Sequence, residues 1–264
     1  MKVHHLICGT MCPPLARLLV NAHGHMVCHC LLCETRDGLL LVDTGLGLED
    51  LRDPVGRMGR QFNLFARPVA DERHAAAAQI ERLGFSLADV RHIIPTHLDT
   101  DHAGGLPDFP QAKVHVFEPE HAAAMARATA IERERYRPVC WRHGPRWELH
   151  EVVGERFMGL DAVRPIAGLA DEVALVPLVG HTRGHCGVAI RSEQGWLLHA
   201  GDAYFHRDEM HPTAPRCTPG LALFQRIIAM DDDARRHNQR RLRALANGGD
   251  VTVFSAHDPS EVPG

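Results

Sequence analysis

The chain has 264 residues, 45% of them hydrophobic, with a formal net charge of -4. A length of this order can bury a substantial core as one α/β unit, and a single domain over 1–264 is expected. The mild negative charge gives nucleic acid no electrostatic reason to bind, and no apolar run approaches the roughly 18 residues of a membrane span. The polar, His-rich N-terminus lacks a signal-peptide pattern, so a cytoplasmic protein is expected. The eight Cys are scattered and are read as free thiols, while twenty His make any single His weak evidence.

The chain opens with a predicted edge strand at Val3 to Gly9, then a Pro13-Pro14 loop. A second strand covers His25 to Glu34, and a turn at Arg36-Asp37-Gly38 leads to a third at Leu39 to Val42. Strand alternation throws Cys28, His29, Cys30 and Cys33 to opposite faces, which suits buried small hydrophobes better than a zinc site. The third strand runs into Asp43-Thr44-Gly45, which reads as a plain turn or as a carboxylate that holds a ligand or loop in place. Residues 48–68 lack clean periodicity and are read as an overhanging loop. A helix is expected from Asp71, stopping at Gly84.

Val90 to Ile94 is the next strand. It feeds Thr96-His97-Leu98-Asp99-Thr100-Asp101-His102, which packs two His and two Asp into six positions. A tight loop at a strand end can turn such side chains toward one cleft, as a metal site requires. Lys113 to Phe117 is read as a strand and Pro119 as the start of a helix. Residues 131–165 are Arg-rich, with Tyr136, Trp141, Trp147 and Phe157 among prolines and glycines. That stretch is read as a lid or pocket wall, or as a homodimer contact.

In the second half, a strand from Val173 to Val179 delivers Gly180-His181-Thr182-Arg183-Gly184-His185. A hairpin of Val188 to Arg191 with Trp196 to His199 ends in Gly201-Asp202. One long helical stretch is expected over Leu221 to Ala246, and a last strand, Val251 to Ser255, presents Ala256-His257-Asp258.

The ordered set Asp43-Thr44-Gly45, His97-x-Asp99-x-Asp101-His102, Gly180-His181-Thr182-x-Gly184-His185, Gly201-Asp202 and Ala256-His257-Asp258 resembles the metallo-β-lactamase-fold hydrolases. The N-acyl homoserine lactonase-like branch is the most similar in appearance. The resemblance implies a four-layer αββα sandwich of two related halves, with the site at the loops along one edge. It also implies two divalent metal ions, with zinc expected and manganese or iron as alternatives. One ion would be held by His97, Asp99 and His181, the other by Asp101, His102 and His257, with Asp202 bridging. Such a pair shares a water, lowers its pKa and polarises a substrate carbonyl, so a small-molecule hydrolase opening a lactone or ester is expected. Asp101 would also carry a proton toward the leaving group.

The chain departs from the family at Asp99, where the usual motif has His. An Asp Oδ lies as far from Cα, in bonds, as a His Nδ1, so the geometry survives while one negative charge is added. A weaker pull on anionic substrates and a shift toward harder metals, or a weak first site, are expected. His185 is read as a supporting residue. Tyr204 sits two positions after Asp202, whereas lactonases of this fold place a catalytic tyrosine three positions on; it is read as a phenol for the substrate carbonyl or as packing. The alternatives are a glyoxalase II-like thioesterase, a β-lactam hydrolase, a di-iron redox module and a non-catalytic metal-binding protein.

Overall fold

The computed structural model describes residues 1–21, 23–152 and 154–263. Ala22, Gly264 and Val153, the last within the expected 131–165 insert, lie outside the described residues. Twelve strands are formed among the described residues: β1 Lys2–Met11, β2 Met26–Thr35, β3 Gly38–Val42, β4 Val90–Ile94, β5 Lys113–Phe117, β6 Arg146–His150, β7 Glu155–Phe157, β8 Leu160–Ala162, β9 Val173–Pro177, β10 Cys186–Ser192, β11 Gly195–His199 and β12 Val251–Phe254. Six of them form one sheet in the order β1-β2-β3-β4-β5-β6, four form a second in the order β12-β11-β10-β9, and β7 pairs with β8. The first sheet is antiparallel from β1 to β3 and parallel from β3 to β6.

Period-two alternation sorts the side chains into layers. Leu31, Cys33, Leu40 and Val42 of the first sheet pack against Val173, Leu175, Val188 and Ile190 of the second, forming the layer between the sheets. Their neighbours Cys30, Leu32, Leu39 and Leu41 face the other way, onto the helices Ala76–Arg82 and Glu118–Ala126. Ala174, Val176 and Ala189 turn outward on the second sheet and meet Leu242 of the helix Asp232–Ala246. Helix, sheet, sheet, helix is the expected αββα order. Each fully buried aliphatic side chain in these layers contributes about 1.5–3 kcal/mol.

Two local expectations change. Residues 48–68 form three short helices, Leu48–Arg52, Pro54–Met58 and Arg60–Ala66, rather than a loop. The long helical stretch breaks into Pro219–Ile228 and Asp232–Ala246, because the Asp231 side chain accepts from the Ala234 N–H at 2.9 Å and caps a new helix. The break has a positional role: Met230 and Asp231 donate their N–H groups to the carbonyls of His181 and Gly180. Within 131–165, Trp141 and Trp147 pack on the helix-covered face of the first sheet, whereas Phe157 meets Trp196 on the second. All eight cysteines are free, as expected. No helix among the described residues is long and apolar enough to cross a membrane.

Candidate metal centre

Four strands end along one edge and each hands over candidate ligands: β4 leads to His97, Asp99, Asp101 and His102, β9 to His181, β11 to Asp202 and β12 to His257. The loops are tied to the opposite sheet. Cys186 at the start of β10 donates its N–H to Thr96, and His29 of β2 donates to Ala256. Residues separated by up to 160 positions thus face one cleft.

The ligand-type atoms fall into two groups, each within 4.8 Å of one another: His97, His181 and Asp202, and Asp101, His102 and His257. In the second group, the Asp202 carboxylate lies 3.3 Å from His102 Nε2 and 3.1 Å from His257 Nε2, and Asp101 lies 3.8 and 3.6 Å from the same atoms. His102 donates through Nδ1 to Asp43 at 2.9 Å, and His257 donates through Nδ1 to the Val27 carbonyl at 2.7 Å. Both imidazoles therefore turn Nε2 toward the carboxylates. Burial favours neutral rings, yet Asp202, Asp43 and Asp101 raise His102 well above its ordinary value; Asp202 and Asp101 likewise raise His257. The carboxylate field asks for positive charge, which a proton or a metal ion supplies.

Asp43 is the holding carboxylate anticipated at the end of β3. Its φ of 55° is left-handed, and the strain is offset by acceptance from Thr96 N–H at 2.6 Å, Thr96 O–H at 3.0 Å and His102. Gly45 also has a left-handed φ, and a Cβ there would lie 2.2 Å from the Cys8 carbonyl oxygen, so only glycine fits. His185 accepts from the Asp202 N–H at 2.9 Å through Nε2 and donates through Nδ1 to Leu178 at 3.0 Å. It holds the backbone of Asp202 in place.

The residues present fit a cation. His97 Nε2, His102 Nε2 and Asp202 Oδ1 are buried with no hydrogen-bond partner, and such atoms are costly unless a ligand satisfies them.

The first group is built differently. Asp99 lies 3.4 Å from His97 Nε2 and 3.1 Å from His181 Nε2, and it accepts from Arg135 at 2.8 Å. The same Arg135 Nη1 lies 2.8 Å from His181 Nε2, and Nη2 donates to the Ile228 carbonyl. Burial opposes the charge on Asp99, but Arg135, with His97 and His181, holds its carboxyl well below the usual range. Burial and Arg135 together push His181 down to about 4. Arg135 thus places beside Asp99 a positive charge that the sequence reading of Asp99 does not include.

Tyr204 stands apart from both groups. Its hydroxyl donates to Glu261 at 2.9 Å, and its ring is fully buried in the outer core of the second sheet. Adjacent side chains diverge, so Phe205 comes to the cluster instead, stacking on His257 at 5.0 Å between centroids. Sequence reasoning missed two residues. Glu120 accepts from Leu98 N–H and Gly184 N–H at 3.0 Å and from the Tyr136 hydroxyl at 3.1 Å, binding both ligand loops to one helix. Arg135 had one available signal, because an acidic residue in a buried ligand position needs a cation beside it.

Residues 23–257 match the Metallo-beta-lactamase superfamily. A probable metallo-hydrolase of Mycobacterium tuberculosis is 41% identical over 262 residues, covering 98% of this chain and 81% of the relative. The N-acyl homoserine lactonase AttM of Azorhizobium caulinodans is 29% identical over 232 residues, covering 86% and 80%. Among solved structures, a Bacillus thuringiensis AiiA variant with N-decanoyl-L-homoserine at its active site superposes with a TM-score of 0.73 at 23% identity, covering 98% of this chain and 94% of the other. Because the family match runs through every cluster residue from His97 to His257, the chain belongs to the metallo-beta-lactamase superfamily and is a metal-dependent hydrolase.

Proposed function

We propose that this hydrolase opens the carbonyl of a lactone or ester of a small molecule, with Asp101, His102, His257 and Asp202 as ligands of one divalent ion and His97, Asp99, His181 and Asp202 forming a second position. Zinc is the expected ion, with manganese or iron as alternatives. The observation that carries this reading is the convergence of His97 Nε2, His102 Nε2 and Asp202 Oδ1, all buried and without partners, where loops of both sheets meet. A bound divalent ion at such a centre lowers the pKa of a water and polarises a carbonyl.

The protein's own groups do the rest. Asp101 is the most exposed carboxylate of its group, at 12% of its side-chain surface, and is placed to pass a proton toward a leaving alkoxide. Phe205 covers His257 and excludes water from that side, and Phe224 packs edge-on against Phe205. Phe224 is exposed on the helix Pro219–Ile228 together with Leu223 and Ile227, and we assign this apolar surface beside Phe205 to the substrate. Such a surface suits an acyl chain, in keeping with the lactonase relatives. Tyr204 is assigned to packing, since its hydroxyl is engaged by Glu261.

The test is a panel of acyl lactones, esters, thioesters, phosphotriesters and β-lactams, assayed after reconstitution with zinc, manganese or iron. An acyl lactone or ester is expected to turn over best, and Asp101→Asn to lower kcat by about 10²–10⁴-fold with the ion retained. Absence of turnover across the panel with every metal overturns the reading.

A further inference from the structure

The two halves of the cluster are not equivalent toward a cation. In the Asp101, His102 and His257 half, each imidazole has its Nδ1 proton committed, to Asp43 or to Val27, and among the described residues no Lys or Arg is paired with the Asp101 or Asp202 carboxylate. His102 Nε2 and Asp202 Oδ1 have no partner, and His257 Nε2 lies 3.2 Å from Asp202 Oδ2, a carboxylate that a shared ion would also engage. In the other half, Oδ2 of Asp99 is taken by Arg135 at 2.8 Å, and the same Arg135 Nη1 stands 2.8 Å from His181 Nε2. A neutral imidazole nitrogen has one lone pair, so accepting an N–H there excludes binding a metal through the same atom. His181 Nδ1 is buried without a partner, unlike the Nδ1 atoms of His102 and His257, so the hydrogen bond that turns those rings' Nε2 toward an ion is missing here.

The guanidinium is not free to leave. Its side chain is only 6% exposed, and Nη2 donates to the Ile228 carbonyl at the C-terminal end of the helix Pro219–Ile228, where the helix favours positive charge. Arginine stays protonated at any working pH, so a dication entering beside it meets a fixed like charge. The pair Asp99 and Arg135 is also neutral as a unit. The first half therefore offers an incoming ion the unpartnered His97 Nε2 and Asp99 Oδ1, a share of Asp202 and an imidazole already engaged, all beside a fixed guanidinium.

We propose that the chain holds one divalent ion tightly, at Asp101, His102, His257 and Asp202, and that the Arg135 guanidinium, paired with Asp99 and His181, takes the place of the second cation. This rests on the reading of the cluster as a metal centre and deepens it. Arg135 then supplies the second positive charge that faces a substrate oxygen, fixed in the protein rather than borne by an exchangeable ion.

The test uses the full chain, stripped with a chelator, loaded with manganese and desalted, then examined for metal content and by electron paramagnetic resonance. The wild type is expected to retain about one manganese per chain with the spectrum of an isolated ion, and Arg135→Met to gain a second, tightening that site by about tenfold or more with a spin-coupled spectrum. Arg135→Lys, which keeps the charge, is expected to stay near one ion per chain. Two retained, spin-coupled ions in the wild type overturn the inference while leaving the proposed hydrolase intact, and this measurement stands even where a variant fails to fold. A folded Arg135→Met variant that still holds a single ion also overturns the inference. Retention of no metal at all overturns the proposed function and the inference with it.

Discussion

Tyr204 and Phe205 are neighbours in sequence with opposite fates, and the reason lies in Glu261. That carboxyl accepts from the Tyr204 hydroxyl at 2.9 Å and the Ser255 N–H at 2.8 Å, which pulls the phenol away from the cleft. Burial, aided by Asp258, pushes Glu261 up to about 7, although Ser255 and Tyr204 work against the rise. A carboxyl whose folded value lies above its unfolded value favours the folded state most when protonated in both. Its stabilising contribution is full below the ordinary value of 4.5 and is lost as pH rises through 7. The wild-type melting temperature is therefore expected to carry a decline of a few degrees from this group between roughly pH 5 and 8, which Glu261→Gln removes. Tyr204→Phe deletes a donor to the carboxylate and should steepen the decline. Parallel melting curves for wild type and Glu261→Gln across that range would show that Glu261 does not titrate as described.

At the scale of elements, the helix Glu118–Ala126 does more than cover the first sheet. Through Glu120 it holds Leu98 in the loop after β4, Gly184 in the loop after β9 and Tyr136 next to Arg135. Glu120→Ala leaves two buried N–H groups and a phenol without acceptors, and a loss of about 3–5 kcal/mol in denaturant unfolding is expected. Amide exchange at Leu98 and Gly184 should rise together, because one side chain holds both; a variant within about 0.5 kcal/mol of wild type would remove Glu120 from this role. Such links explain what the sequence could and could not disclose. His97, Asp202 and His257 were legible because each follows a short apolar strand directly, so local pattern located both the strand and its cargo. Asp43 was legible for the same reason. Arg135 was not, since its partner Asp99 lies 36 residues away and no periodicity connects them. The break at 229–231 was hidden because helical spacing runs across it, and it depends on bonds from Met230 and Asp231 to the His181 loop. Glu120 looked like any acidic residue in the first turn of a helix, its burial being set by loops from both halves.

For the whole molecule, the cluster lies where loops of the two sheets meet, beside the bonds from Cys186 N–H to Thr96 and from His29 N–H to Ala256. His97, Asp101 and His102 hang from the first sheet, while His181, Asp202 and His257 hang from the second. An ion held by Asp101, His102, Asp202 and His257 therefore ties the halves together, and its binding energy adds to the stability of the folded chain. With free metal about a thousandfold above its dissociation constant the linkage amounts to about 4 kcal/mol. For a chain of this size that corresponds to a melting shift on the order of 10 °C. The apo protein should nevertheless remain folded, because Leu40 and Val42 still pack on Val188 and Ile190 between the sheets. A strong chelator is thus expected to lower the melting temperature by that amount with far-ultraviolet circular dichroism unchanged, and zinc to restore it. Asp202→Asn should abolish most of the difference between the two states, since its carboxylate approaches imidazoles from both sheets, His102 at 3.3 Å and His257 at 3.1 Å. A protein that melts at the same temperature with and without chelator, after metal analysis has verified removal, would mean that the ion contributes no net stability across the join, and that the sheet-to-sheet core alone sets it.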